Sequence, residues 1–591
     1  MNPSVLSVSP CFAFLPSSSK TQCLTALALT TLCGALASAQ PVITSTDTTT
    51  ATHSGRVILR GQGFGDRTTA GGGGTLLVNG LPAHYARWSD THISLYIPEQ
   101  ATPGPATISL TTESGTAAAN ITITPRPPAD GKLLWKFKTD GPIIRHRGRV
   151  AADGTVYASD SLGFLYSIAP SGALNWVYCA DCVNGTGSEG PVALGHDGTI
   201  YVGGNPLGPE TNIHAVNADG TRKWLYTDIW TDCVAGPSVG PDGNVYAVME
   251  TAGAGLTCLD PATGQRLWAA LPPGQRFDER GQWGADITFG PTTPGGHPNQ
   301  IYVTFDMRPM QVPIPQGANS ALFAFGTDGA HKWSVAVGGQ SIAGGQQQGE
   351  AAVGHDGTVY ECSLLPPNAW ALYAHDPSNG STKWNLYLPP GNVISEPTVA
   401  NDGTVYIVRN TIHIHAVNSS GAVQWTYTDP TGSLYEAAVE SPDGRMVISA
   451  GSIGDTMTFS GHIRAVTGTG QNLWSLFLPR ENNTPIIPRT RAFYSPDSRR
   501  AYLGTSGREV AGEEYAYLLA LDTAPPAPTS CDADFNQDGD TATDQDIESF
   551  FACLGGTCCD TCLSADFNAD GDTATDQDIE SFFRVLGGGN C

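Results

Sequence analysis

Short runs of apolar residues, alternating or continuous, are broken along this chain by Gly, Pro, Asn and Asp. That is the pattern of strands joined by tight turns, not of helices. Between residues 131 and 523 the pattern repeats. A strand ending in Tyr or its equivalent follows a turn eight times: "DGTVY" at 153, "DGTIY" at 197, "DGNVY" at 242, "PNQIY" at 298, "DGTVY" at 356 and 402, "DGRMV" at 443 and "DSRRAY" at 497. Trp recurs with it, at Trp135, Trp176, Trp224, Trp268, Trp333, Trp384, Trp425 and Trp474, with gaps of 41, 48, 44, 65, 51, 41 and 49 residues. A second apolar strand and a turn lie between, as in "LYSIAPSGALNW" and "IHAVNADGTRKW". A unit of three or four strands cannot bury both its faces, so neighbours must stack, and a ring of such units is a β-propeller.

The register of the repeat predicts how the ring closes. The first Trp, in "GKLLWKF", precedes the first turn, and the last strand pair, "AYLLALDT", has no Trp after it. The strand at 133–137 therefore completes the eighth unit, which leaves no open sheet edge. The predicted fold is mainly β, with an eight-bladed β-propeller at its centre. The unit motif resembles the quinoprotein-dehydrogenase-like propellers built from PQQ-like repeats, over roughly 131–523. The resemblance implies the fold; it does not by itself imply the reaction. Quinone-dependent dehydrogenases of that kind need an Asp base, a metal held by carboxylate and amide oxygens, an aromatic floor and often a vicinal Cys pair. The vicinal pair here, Cys558-Cys559, lies outside 131–523, so PQQ is not the expected cofactor.

Pro-rich joints at 124–130 ("TPRPPAD") and 523–530 ("TAPPAPTS") set off a module on either side. From 40 to 124, "RVILRG", "TLLVNG", "HISLYIP", "ATISLTT" and "NITIT" read as the strands of a small β-sandwich. "ILRGQGFGD", "LLVNGLPA" and "WSDTHISLYIP" resemble the IPT/TIG immunoglobulin-like family, which implies a spacer or binding module. Before it, Lys20, the apolar "CLTALALTTLCGALA" and Ala37-Ser38-Ala39 read as an export signal over 1–39. Leu32 ahead of Cys33 argues against a lipid anchor. No other run of eighteen apolar residues appears, so no transmembrane segment is expected. The expected location is extracellular or at the cell surface, with the periplasm as the alternative.

Charge changes the picture most at the C-terminus. The chain carries −25, and residues 531–591 hold fourteen Asp and Glu against the single Arg584. Such a polyanion repels nucleic acid and attracts multivalent cations. Two near-copies, "DFNQDGDTATDQDIESFFACLGG" from Asp534 and "DFNADGDTATDQDIESFFRVLGG" from Asp566, occupy this tail. Read as calcium loops, they supply Asp534, Asn536, Asp538 and the Asp540 carbonyl, then Asp566, Asn568, Asp570 and Asp572, with Gly539 and Gly571 at the sharp turn. The twelfth position is Gln545 or Gln577; Asp546 and Asp578 arrive one residue late, so either the loop is stretched to reach them or Asp544 and Asp576 close it. Each loop leads into an amphipathic helix, Ile547, Phe550, Phe551, Leu554 and then Ile579, Phe582, Phe583, Leu586. One such helix cannot bury its Phe pair alone; two can pack face to face. This tail resembles a dockerin domain, which implies calcium and a cohesin-like partner.

Other side chains that could carry chemistry read more simply as structure. Glu189, Glu350, Glu396 and Glu436 precede inner-strand segments and fall toward one mouth of the channel, with Asp286 near them. They line a cation- or sugar-binding funnel or merely solvate the axis, and no second ligand set favours the funnel. His413 and His415 occupy packing positions of the repeat. Cys182 pairs with Cys233 across units or with Cys179 within one. The eleven Cys after residue 39 are an odd number, which leaves at least one thiol over. The reading that results is an exported, non-catalytic binding or scaffold protein. Its propeller takes a protein or polysaccharide ligand and its tail is a calcium-dependent attachment module. The alternatives are a propeller enzyme, quinone-dependent or polysaccharide-active, and a purely structural scaffold.

Overall fold

The computed structural model describes residues 40–589 except 66–73, 144–147, 183–190, 205–209, 230–232, 250–254, 272–274, 278–286, 294, 310–319, 338–350, 366–368, 389–394, 411, 432–433, 435, 454–459, 479, 482–483, 507–515, 525–531, 560–561 and 569–572. The chain is mainly β, and the repeat folds as a PQQ-like β-propeller. Among the described residues, eight successive antiparallel sheets follow the repeat. The first contains Arg149–Val150, Val156–Ser159, Phe164–Ile168 and Leu174–Cys179 in sequence order from inner to outer edge. The last sheet is composite: Leu133–Lys138 pairs antiparallel with Tyr517–Asp522 as its outer strand. The early "LLWKF" segment thus completes the final sheet, as its register required.

Within a sheet the repeated Tyr lies against the repeated Trp. Ring centroids are 5.9 Å apart for Tyr157–Trp176, 5.6 Å for Tyr201–Trp224, 5.9 Å for Tyr302–Trp333 and 5.8 Å for Tyr406–Trp425. Trp135 repeats this with Tyr502, at 5.8 Å, although 367 residues of chain separate them. Trp side chains also reach into the next sheet. Trp176 Nε1 donates to Ala218 O at 2.9 Å, Trp384 to Ser419 O at 2.8 Å, Trp425 to Gly468 O at 2.8 Å, and Trp135 to Pro170 O at 2.9 Å. The ring lies over a turn glycine: Gly421, at φ 87°, would place a Cβ 2.8 Å from Trp384, and Gly172 and Gly470 do the same under Trp135 and Trp425 at 2.9 and 2.6 Å. Only glycine fits there, because both the left-handed backbone and the Trp face exclude a side chain. Apolar clusters join each sheet to the next. Tyr157, Trp176, Ile200 and Val202 link the first two; Ile448, Ile463, Leu503 and Leu519 link the last two. Trp135, Phe137, Val156, Tyr166 and Tyr502 join the last sheet to the first.

Residues 42–124 form two sheets packed face to face over Val57, Leu59, Trp88, Ile93, Ile108 and Ile121. The predicted strands appear as Arg56–Gln62, Thr75–Val78, His92–Tyr96, Gly104–Thr112 and Gly115–Thr124. The sandwich does not stand apart. Tyr96 stacks on Phe137 of the composite sheet at 5.2 Å and meets Tyr166 edge-on at 6.1 Å. Arg56 Nη1 donates to Thr139 O at 2.7 Å and lies 3.4 Å from Asp140 Oδ1, while Arg87 approaches Asp140 from solvent at 3.3 Å. Ser54 Oγ accepts from Leu174 N at 2.8 Å. The sandwich covers the seam where the last sheet meets the first.

Candidate functional site

The tail begins as the sequence predicts. Helices α1 (Asp544–Leu554) and α2 (Asp576–Leu586) follow the two acidic loops. In the first loop Asp534 Oδ1 and Oδ2 accept from the amides of Asp538 and Gly539, both at 3.1 Å. Asn536 Oδ1 accepts from Asp538 N at 3.0 Å, and Asp538 Oδ1 from Asp540 N at 3.0 Å. Gly539, at φ 96°, makes the turn. Asp534, Asn536 and Asp538 are therefore gathered along the inside of one loop. In the second loop Asp566 and Asn568 are described; Asp570, Gly571 and Asp572 lie outside the described residues. Among the described residues no group of three or more His, Cys, Asp or Glu side chains is close enough to hold a metal ion.

Asp546 and Asp578 are buried and do something the spacing alone did not suggest. Each is the third residue of its helix and closes a capping box. Asp546 Oδ2 accepts from Thr543 N and Oγ1 at 2.8 Å, and Thr543 Oγ1 accepts from Asp546 N at 3.3 Å. Asp546 Oδ1 accepts from Asn536 N at 3.2 Å, and Asp578 Oδ1 from Asn568 N at 3.3 Å. A helix start leaves amides without intrahelical partners, and a carboxylate at this position satisfies them. Each carboxylate thereby ties its loop to its helix.

The Phe pairs divide. Phe550 and Phe582 are fully buried and stack at 3.9 Å. Phe551 and Phe583 stand about half exposed, 6.1 Å apart. The core is completed by Phe535 and Phe567, the loop residues between Asp and Asn, which the helix periodicity could not reveal. Cys553–Cys558 and Cys559–Cys562 bridge this module.

In the propeller, the inner strands converge on a cavity of about 730 Å³. Arg149, Thr288, Thr398, Glu440, Arg491 and Tyr494 contribute its polar lining. Thr288 Oγ1 donates to Ala351 O at 2.7 Å, and Tyr494 O–H to Val439 O at 3.0 Å, so these groups also join neighbouring inner strands. Burial pushes the Glu440 carboxyl up. Its oxygens accept from Tyr406 O–H at 3.2 Å and Asn401 N at 3.1 Å. Glu396 lies 3.5 Å from Arg491. Glu436 is described, but Glu189, Glu350 and Asp286 lie outside the described residues. His415 is buried with Nδ1 2.8 Å from Thr426 Oγ1, and His413 Nδ1 is 3.0 Å from Thr428 Oγ1, as strand packing positions.

Cys179 pairs with Cys182, the local of the two partners considered. Cys258 is a free buried thiol, pushed up to about 12 by burial. Beside the Cys179–Cys182 bridge stands a polar cluster that sequence reading missed. Asp181, at φ 61°, accepts from Asn212 Nδ2 at 2.7 Å and lies 3.1 Å from His214 Nε2. Tyr178 O–H is 2.9 Å from His214 Nδ1. Burial pulls Asp181 upward, but its bonds to His214 and Asn212 hold it below the usual carboxylate range. The one signal in the sequence is the "GG" ending the strand Ile200–Gly204: a Cβ on Gly204 would overlap the Asp181 carboxylate.

The family model described as outer membrane protein assembly factor BamB matches residues 119–318, 209–388 and 318–498. The overlapping windows reflect the repeat. BamB from Moraxella catarrhalis is 15% identical, with a TM-score of 0.44 over 67% of this chain and 98% of that one. The Dos1 propeller is 12% identical, with a TM-score of 0.41 over 65% and 95%. A quinohemoprotein alcohol dehydrogenase from Comamonas testosteroni is 14% identical, with a TM-score of 0.42 over 73% and 82%. No curated protein matches.

Proposed function

The chain belongs to the family described as outer membrane protein assembly factor BamB, and on that footing we propose an exported, non-catalytic protein whose propeller is a binding platform. The eight sheets are read as eight blades of one ring over 131–523. Residues 1–39 are read as the export signal, 40–124 as an IPT/TIG immunoglobulin-like sandwich and 531–591 as a dockerin-like pair of loop-helix units. The observation that carries the platform reading is an asymmetry between the two ends of the blades. In an antiparallel blade, the first and third connections emerge at one end and the second and interblade connections at the other. Among connections of the first kind, 151–155, 195–199, 400–404 and 418–422 are five residues each and 290–299 is ten; between one sheet and the next the chain runs thirteen residues over 180–192, fourteen over 338–351 and nine over 478–486, much of it outside the described residues. Long connections on a rigid scaffold are where binding residues collect. A protein ligand is the preferred partner and a glycan the alternative. Replacing 338–351 by a Gly-Ser segment of equal length should abolish capture of the ligand from the native exoproteome while melting is unchanged. Unaltered capture would reject the long-connection end as the binding face.

The tail is the attachment module. Calcium would be held in the first loop by Asp534, Asn536, Asp538 and the Asp540 carbonyl, and in the second by Asp566, Asn568, Asp570 and Asp572. Asp546 and Asp578 close the loops, a bound ion taking over the oxygen that now accepts an amide. The donor set suits a hard cation, since it is made of oxygens alone. A cohesin-like protein is its partner of first choice. Extracellular or surface location is proposed, with the periplasm as the alternative. The axial cavity is the one observation that favours an enzyme; dye-linked oxidation of an alcohol or sugar after adding quinone and calcium would establish that reading in place of the platform.

A further inference from the structure

The polar cluster beside Cys179–Cys182 has no part in the platform or the tail. A bridge between residues three apart closes a short loop, so it restrains the unfolded chain little. What it does restrain is Asp181, which lies between the two sulfurs in a left-handed conformation that non-glycine residues seldom adopt. That conformation turns the carboxylate off the first sheet and onto the second, against Asn212 Nδ2 and His214 Nε2. Asp181 Oδ2 and the Tyr178 hydroxyl thereby hold the two ring nitrogens of His214 from opposite sides. Gly204 leaves the space the carboxylate occupies. Tyr178 and Asp181 come from the first sheet and its following connection; Asn212 and His214 come from the strand Glu210–Val216 of the second. The bridge is thus a clasp across one interblade junction.

Its chemistry is open to solvent. Cys179 is exposed, so a thiolate can reach its sulfur, and the Cys182 amide lies 3.2 Å from Cys179 Sγ, placed to stabilise negative charge on it. We propose that Cys179–Cys182 is a thiol-exchange site, that its reactant is a dithiol, and that its oxidation state sets whether Asp181 engages His214. One thiolate of the dithiol attacks Cys179 Sγ, the protein S–S bond breaks, and Cys182 leaves as a thiolate that takes up a proton. The second thiol, on losing its proton, attacks the reagent's sulfur in the mixed disulfide and expels Cys179 as a thiolate stabilised by the Cys182 amide. Two electrons pass to the protein sulfurs; one of the two protons the reagent gives up goes to Cys182, the other goes to solvent while Cys179 stays a thiolate, and the reagent departs as its own disulfide. Asp181, freed from the four-residue ring, relaxes out of the left-handed region and leaves Asn212 and His214.

The test uses the full chain, titrated with dithiothreitol under native conditions, with alkylation mapped by mass spectrometry and His214 followed by NMR. Cys179 and Cys182 should become alkylated while the propeller's melting transition persists, and the His214 ring signals should shift. The Cys179→Ser/Cys182→Ser variant should show the reduced-state His214 signals without reductant. Asp181→Ala should accelerate reduction by at least about threefold, because the clasp no longer holds the oxidised turn. The proposal is overturned if the bridge resists dithiol until the chain unfolds. It is equally overturned if reduction leaves His214 unmoved, or if the double Ser variant keeps the oxidised signals.

Discussion

Replacing Arg56 by Met tests whether the sandwich is part of the propeller's closure. The Arg56 and Asp140 side chains are 2% and 3% exposed and 3.4 Å apart, so neither can exchange its partner for water. Arg56 Nη1 also donates to Thr139 O at 2.7 Å, the residue just after the closing strand. Removing one member of a buried pair leaves the other desolvated, at a cost of about 3–5 kcal/mol. Arg87 remains 3.3 Å from the other Asp140 oxygen but is 43% exposed and so offsets only part of this. The expected loss is at the lower end, about 3 kcal/mol. Arg87→Ala, which removes a solvent-screened charge, should cost only about 0.5 kcal/mol. Arg56→Met combined with Asp140→Leu should recover most of the stability, because no uncompensated charge is then buried. Urea unfolding gives the free energies, and calorimetry shows whether sandwich and propeller melt together. A loss below about 1 kcal/mol for Arg56→Met would refute the argument. So would a sandwich that melts separately while the propeller is untouched.

Gly421→Ala should destabilise the sixth and fifth blades' junction by about 1–3 kcal/mol, since the new methyl meets Trp384 at 2.8 Å in a backbone at φ 87°; chemical denaturation against Gly403→Ala, which meets no neighbour, separates contact from backbone strain. His92, His415 and His462 are all lowered from 6.5 to about 4, chiefly by burial, so the unfolded chain binds more protons than the folded one between those values. Stability should therefore fall as pH drops from 6.5 toward 4, and His462→Asn should flatten that slope; a profile level across this window would contradict the burial argument. Deleting 131–138 strips the last sheet of its outer strand and should lower the melting temperature of the whole propeller, measured by calorimetry. Calcium should raise the helical circular dichroism of the tail, and Asp538→Ala with Asp570→Ala should remove that gain while leaving the propeller's melting unchanged.

What could be read along the chain was whatever local rules repeat. The αL glycine in most of the turns (Ser498 takes its place in the last unit), the Tyr two strands from its Trp and the alternation of apolar positions are short-range requirements, so they return unit after unit and stand out against the rest. Ring closure was readable for the same reason: Trp135 is the outer-strand residue of a unit whose other members lie at Tyr502 and Ala520, and an unmatched member of a repeat announces its partner. The doubled loop-helix showed itself likewise, as did its need to pack in pairs. Periodicity nevertheless treated Phe550 and Phe551 alike, whereas one is buried and the other about half exposed, because Phe535 and Phe567 from the loops had already filled the core.

Non-repeating contacts had to wait for the tertiary structure. Arg56 meets Asp140, and Tyr96 meets Phe137, only because the sandwich docks on one particular seam of an otherwise regular ring. Nothing in either module's own pattern marks that seam. Asp181, Asn212, His214 and Tyr178 converge from two sheets through a turn of unusual handedness, and each alone reads as an ordinary surface or strand residue. Asp546 spaces as a calcium ligand, yet the unpaired amides of a helix start and the Asn536 amide compete for its oxygens. A side chain's type and spacing restrict what it can bind; which competitor reaches it first is a matter of three-dimensional proximity.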